Sequence, residues 1–118
     1  MVAARQDFVI EKGARFYKEI QLTDDAGTPV TLVGKKIKFT AKESTATSTK
    51  LHDLTEDNSG IQVLDDALGN VAIYISAEDT GAIEADYGWY NITEIDEDYP
   101  DEEIERLLEG KITYSKGV

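Results

Sequence analysis

Carboxylates are the most abundant side chains in this sequence that could do chemistry, and they concentrate near its C-terminal end. That segment carries Glu94, Asp96, Glu97, Asp98, Asp101, Glu102, Glu103, Glu105 and Glu109. Ca²⁺ binds several oxygens from one flexible loop, but this spacing does not match the D-x-[DN]-x-[DN]-G pattern. The cluster favours a solvated acidic loop or a surface that meets a basic partner, with a calcium-stabilised module as an alternative. The candidate protein-contact loop is Asp96, Glu97, Asp98, Asp101, Glu102 and Glu103, and no metal ligand is assigned.

Two neighbouring aromatic residues, Trp89 and Tyr90, could form a stacking platform for a sugar. Adjacent residues of a strand face opposite ways, so both rings cannot lie in the core. At least one of them is exposed or covered by a loop, and both are candidate exposed aromatics. The competing interpretation places the other ring in the core. A carbohydrate-binding module is therefore the alternative function.

The remaining residue types do not form a catalytic set. His52 is the only histidine and the chain has no cysteine, so neither a triad nor a zinc site is indicated. Gly81 and Gly88 do not have the spacing of a phosphate-binding loop. We predict that the protein is not an enzyme and needs no cofactor.

The composition limits the possible partners. The 118 residues include 24 acidic and 12 basic side chains, a net charge of -12. Nucleic acids and anionic membrane surfaces both require cationic proteins, so we expect neither as a partner. The length predicts a single domain over residues 1–118.

Alternating apolar residues predict the elements that must position these groups. Period-2 patterns indicate strands over residues 15–22, 35–42, 71–75, 87–95 and 104–114, with turns rich in Asp and Gly between them. Ser76 and Asp79 have the spacing of a helix cap and predict one short helical turn. Short strands at regular spacing predict an all-β sandwich, and Lys36, Lys38, Thr40 and Lys42 are expected on a solvated face. The predicted core is Phe16, Ile20, Leu22, Ile37, Phe39, Ile61, Val63, Val71, Ile73, Ile75, Ile92, Leu108 and Ile112.

Four segments resemble those of a known group of proteins. They are GTPVTLVGKKIKFTAK, GNVAIYIS, DTGAIEADYGWYNITEI and LLEGKITYSKGV. The first is similar to a G-x-P-V-D-L-T-G-x-x-I-x-F segment of small Ig-like β-sandwich domains in tailed-phage virion proteins. The others fit the same layout, which also resembles the N-terminal domain of phage upper baseplate proteins. The resemblance extends from about Phe16 to Val118.

This resemblance implies an antiparallel Ig-like sandwich that works by protein–protein assembly. The expected function is that of a phage or prophage structural protein of the tail, baseplate or capsid surface. Its partners would be other virion proteins or further copies of itself in a ring or lattice. It would be made in the host bacterial cytoplasm and end in the virion. No catalytic residue is carried over, because the group has none.

Overall fold

Two β-sheets face each other in the computed structural model, which describes residues 4–24, 26–43, 50–56, 58, 60–96, 98–99 and 103–116. The first sheet, called the large sheet, has the strand order β1-β9-β8-β4-β5, and β2 also pairs with β9. The second, called the small sheet, has the order β3-β7-β6. In chain order the elements are β1 (Ala4–Arg5), β2 (Phe8–Glu11), β3 (Phe16–Gln21), β4 (Lys36–Lys42), β5 (Lys50–Thr55), β6 (Ile61–Asp65), β7 (Asn70–Ile75), α1 (Ala77–Gly81), β8 (Tyr87–Ile95) and β9 (Glu103–Ser115).

This strand order is that of an immunoglobulin-like sandwich. With β3 taken as strand B, the small sheet reads B-E-D and the large sheet reads G-F-C-C′. The prediction of an all-β, Ig-like sandwich with one short helical turn is therefore confirmed. The pairing is not antiparallel throughout, because β1 and β2 both run parallel to β9, with Phe8 opposite Ile112. The N-terminal segment thus covers one edge of the long last strand.

One cluster of buried side chains from both sheets forms the core. Every residue of the predicted core is buried except Phe16 and Val63, which pack against the cluster from its margin. Both lie on edge strands of the small sheet, where one side lacks a neighbouring strand. Buried residues that the predicted core omits include Phe8, Ile10, Leu32, Ala41, Tyr90, Leu107 and Tyr114.

A β-bulge explains why two consecutive leucines are buried on β9. Ile92 pairs with Leu108 whereas Thr93 pairs with Arg106, so Leu107 is an extra residue in the ladder. Leu107 and Leu108 are both buried. Strict alternation places only one of them in the core, and the bulge corrects that prediction.

The helical turn α1 begins where the cap was predicted. Ser76 Oγ accepts a hydrogen bond from the backbone N–H of Asp79 at 3.1 Å. The fully buried Thr80 fixes α1 to the turn after β2, since its hydroxyl donates to the carbonyl of Ala14 at 2.8 Å and accepts from Gly13 N at 3.1 Å. In the part of the chain that the structure describes, no helix is long and apolar enough to cross a membrane.

Candidate functional site

Strand β8 separates the two aromatic residues that were predicted as exposed. Trp89 is 39% exposed on the outer face of the large sheet, whereas Tyr90 is 2% exposed and belongs to the core. The prediction of Tyr90 as an exposed aromatic is therefore wrong. The cause is that Tyr90 lies on the side of β8 that faces the core, which leaves Trp89 on the outer side.

Tyr90 has a structural role beneath the exposed face. Its ring stacks on Phe8 at a centroid distance of 4.7 Å and on Phe39 at 5.1 Å. Its hydroxyl donates a hydrogen bond to the carbonyl of Gln6. Burial raises the pKa of this phenol well above its ordinary value of 10.0, so the hydroxyl stays protonated and remains a donor.

The strand register brings polar and cationic residues together around Trp89. Trp89 lies between Lys42 of β4 and Lys111 of β9 in one cross-strand row. The next row on the same face contains Thr40, Asn91 and Glu109, and a third contains Lys38, Thr93 and Arg106. We call this outer surface of β4, β8 and β9, together with Arg5 of β1, the Trp89 face.

The Trp89 face is cationic although the whole chain is strongly acidic. It carries six of the twelve basic residues of the sequence: Arg5, Lys36, Lys38, Lys42, Arg106 and Lys111. Several of them already have partners, since Arg106 lies 3.3 Å from Glu109 and Arg5 lies 3.4 Å from Asp7, and neither Lys36 nor Lys38 is free. Lys111 instead lies over the ring of Tyr87, with Nζ 4.2 Å from the centroid. Basic residues are thus concentrated on this face, and an anionic partner could contact it.

A depression of about 330 Å³ lies in the middle of this face. The backbone of Gly110 and the buried Tyr90 form part of its lining. The guanidinium carbon of Arg5 lies 5.9 Å from the centroid of the Trp89 ring, within the range of a cation–π contact. Its polar and aromatic lining is Arg5, Thr40, Lys42, Trp89, Asn91, Arg106 and Glu109.

Two hydroxyl groups of the Trp89 face are buried without partners. Thr40 is 8% exposed and Thr93 is 3% exposed, and neither Oγ1 makes a hydrogen bond within the described residues. Thr40 lines the depression directly. The solvated lysine face that the sequence predicts is thus partly wrong, because Thr40 is buried and the lysines beside it are half-buried. Burial of an unpaired hydroxyl costs free energy, which makes this position notable.

The described part of the predicted acidic loop begins at the other end of β8. Trp89 and Asp96 are seven residues apart along an extended chain, or roughly 23 Å. Asp96 accepts a hydrogen bond from the backbone N–H of Asp98 at 2.8 Å and so closes a local turn. Glu103 begins β9 and pairs with Ile95, whereas Glu97, Asp101 and Glu102 lie outside the described residues. Among the described residues, Asp96 and the start of β9 at Glu103 therefore lie at the end of β8 remote from Trp89.

Arg5, Thr40, Lys42, Asn91 and Arg106 were missed by the sequence analysis as members of one site. They come from β1, β4, β8 and β9, and only the pairing of these strands makes them neighbours. The signal present in the sequence was the polar side of the 35–42 alternation. That pattern predicted a polar face of one strand, but it did not predict that the aromatic strand β8 lies beside it.

A second cleft lies between β5 and α1, next to His52. His52 is buried, its Nε2 makes no hydrogen bond within the described residues, and its ring lies 5.9 Å from that of Tyr114. Burial lowers the pKa of the imidazole below 6.5, and the Asp79 carboxylate opposes this effect less strongly. The folded protein therefore holds His52 in its neutral form.

The pH dependence of stability should report this burial. In the unfolded chain His52 takes up a proton near pH 6.5, but in the folded protein only at a lower pH. Stability should therefore be lost as the pH falls below that value. We expect the Tm to fall between about pH 7.5 and pH 5.5, above the range in which ordinary carboxylates titrate. His52→Leu should remove much of this slope, and an unchanged slope in thermal melts of the variant would contradict the assignment.

In the described part of the chain, no three carboxylate or imidazole side chains are grouped so that they could hold a metal ion. The sequence matches no protein-family model, and no curated protein is significantly similar to it.

Proposed function

We propose that this protein is a structural module of a phage or prophage particle, in the tail, the baseplate or the capsid surface, that acts by protein–protein assembly. The resemblance of the four segments suggests this role, and the Ig-like sandwich is the fold that the resemblance implies. Three of these segments contribute to β4, β7 and β8, and the fourth forms the end of β9. The segments that carry the resemblance therefore contribute strands to both sheets.

The observation that carries the proposal is the free edge of the small sheet. Within the described residues, β3 pairs only with β7, in an unbroken register from Phe16 opposite Ile75 to Gln21 opposite Asn70. At the opposite edge, the short strand β6 has a bulge between Val63 and Asp65. Bulges protect an edge from pairing with another chain, and β3 lacks one. A regular free edge of six residues is suited to β-augmentation by a second chain.

The direction of the backbone groups follows from two hydrogen bonds. Leu22 N donates to Gly69 O, on the β7 side of the chain. Tyr74 N donates to Gly60 O, away from β3. In an antiparallel ladder these directions alternate from residue to residue. The N–H and C=O groups of Tyr17, Glu19 and Gln21 therefore face the free edge.

An exposed tyrosine pair adds apolar area beside this edge. Tyr17 and Tyr74 are directly opposite each other on the outer face of the small sheet, and both are exposed. Tyr17 donates a hydrogen bond to the Glu19 carboxylate at 3.1 Å. Aromatic side chains with a polar end are enriched at protein interfaces. The edge and the pair together form a surface suited to another virion protein or to a second copy of the chain.

A proline in the middle of the edge should test this proposal. Glu19→Pro removes an N–H that faces outward and spares the bonds between β3 and β7. We expect the wild-type protein to form oligomers in light scattering or to capture a virion protein from disrupted particles. Glu19→Pro should lose at least about 90% of this association, which corresponds to a loss of roughly 1.4 kcal/mol in binding free energy.

The matched control is Glu19→Ala, which removes the same side chain and keeps the N–H. It should assemble as the wild type does, and all three proteins should be compared by thermal melting to establish that they are folded. A strict monomer that captures no virion protein would count decisively against the proposal. Equal assembly of the proline variant would exclude the β3 edge as the contact.

A further inference from the structure

We propose that the depression of the Trp89 face is a binding site for a carboxylate-bearing saccharide, a sugar ring of the hexuronic acid type. The site lies on the large sheet, whereas the assembly proposed above uses the edge of the small sheet. The two proposals therefore depend on different residues and can fail separately.

Trp89 supplies the surface on which a sugar ring can lie. It is the only tryptophan of the chain, and its ring is partly exposed at the rim of the depression. The C–H face of a pyranose is apolar and packs on the electron-rich face of an aromatic ring. The Arg5 guanidinium lies over this ring, with its carbon 5.9 Å from the centroid, and so adds a positive charge to the aromatic surface. This is the combination that a sugar with a carboxylate requires.

The floor of the depression offers hydrogen bonds that the protein does not use. The Thr40 hydroxyl lines the depression, is more than nine-tenths buried and has no partner within the described residues. A hydroxyl can donate and accept one hydrogen bond in the same site, as a sugar hydroxyl can. Asn91 adds an amide next to it in the same cross-strand row. A bound sugar would therefore satisfy a polar atom that is otherwise buried at a cost.

The charges around the depression favour a carboxylated sugar over a bare anion. Lys42 and Arg5 are on separate strands and can reach a carboxylate from two sides. Glu109 also lines the depression, 3.3 Å from Arg106. The Glu109 carboxylate can accept hydrogen bonds from sugar hydroxyls, whereas a sulfate ion has no hydrogen to donate to it. The volume of about 330 Å³ is at the small end of the range for ligand pockets, about 300–1,000 Å³. It therefore fits one ring better than a long chain.

Binding can be measured with D-galacturonate and D-glucuronate as probes, against D-galactose and D-glucose as neutral counterparts. The emission of Trp89 reports the site directly, because no other tryptophan contributes. Amide shifts of Thr40 and Asn91 in NMR spectra give a second readout. We expect a saturable change with a uronate at concentrations up to about 50 mM, well above the ~1 mM Kd of a weak complex. The neutral sugars should bind about tenfold more weakly, the loss of one charge-assisted contact.

Two variants separate a binding site from a structural effect. Trp89→Ala should abolish the NMR shifts. Thr40→Val replaces the unpaired hydroxyl with a methyl group of the same shape, so its Tm should stay equal or rise, while its affinity should fall about tenfold. Tyr17→Ala, on the small sheet, should leave uronate binding unchanged. A Thr40→Val protein that binds as the wild type does would exclude the hydroxyl from the site.

Three further results would overturn the proposal. The first is the absence of any shift at Thr40 or Asn91 with either uronate at the highest concentration. The second is equal binding of the neutral sugars, since the cations would then have no role. The third is a lower Kd for a hexaglutamate peptide than for the uronates, measured from the shifts of the same amides. The face would then be a surface for acidic proteins. Loss of oligomers in Glu19→Pro with uronate binding intact would separate this site from the assembly edge.

Discussion

Replacing Gly110 with alanine should destabilise the protein by about 3 kcal/mol, the upper end of the usual range for overpacking. A Cβ at this position would lie 2.0 Å from the carbonyl oxygen of Gln6 and 3.0 Å from Cε1 of Tyr90. The Gln6 carbonyl cannot easily withdraw, because it accepts the Tyr90 hydroxyl and Gln6 N donates to Glu109 O at 3.0 Å. The midpoint of urea unfolding, at an unchanged slope, measures the effect.

Gly81→Ala is the matched control for this substitution. A Cβ at Gly81 would meet Gly13 Cα at 3.5 Å and Gly13 N at 3.8 Å, both ordinary van der Waals distances. Alanine is also favoured over glycine in a helix by up to about 1 kcal/mol, so Gly81→Ala should be as stable as the wild type or slightly more so. If Gly110→Ala were equally well tolerated, the N-terminal segment could not lie against β9 as described.

The strands could be predicted because each buries one face. In β4 the sequence alternates Ile37, Phe39 and Ala41 with polar residues, and those three are fully buried. The partner of β1 and β2 could not be predicted in this way. Their parallel pairing with β9 joins residues about a hundred positions apart, and no local pattern specifies such a contact. The close approach at Gly110 becomes visible only once that pairing is known.

The candidate site shows the same division between local and non-local information. The acidic loop could be predicted as a candidate contact because its charged residues are close together in the sequence. The cations of the Trp89 face are scattered along the chain, and the register of β4, β8 and β9 brings them together. Alternation alone indicated that Trp89 and Tyr90 face opposite ways. Which ring is buried depends on the side that packs against the small sheet, which is a property of the assembled fold.

Phe39→Ala should cost about 3–5 kcal/mol of stability, the range measured for fully buried aromatic side chains. Phe39 has no exposed surface, and its ring lies nearly parallel to that of Tyr90, at an interplanar angle of 13°. Tyr90 in turn stacks on Phe8, so the variant removes the end of a three-ring stack and leaves a cavity. The midpoint of urea or thermal unfolding measures the loss.

Tyr87→Ala controls for the loss of an aromatic ring from the large sheet. Tyr87 is the first residue of β8 and is exposed, so its removal should cost no more than about 1 kcal/mol, the value of its exposed cation–π contact with Lys111. A loss below about 1 kcal/mol in Phe39→Ala would show that the stack of β2, β8 and β4 side chains contributes little to the core. The expected difference between these variants follows from burial, because both remove an aromatic ring and only Phe39 supports Tyr90 beneath the Trp89 face.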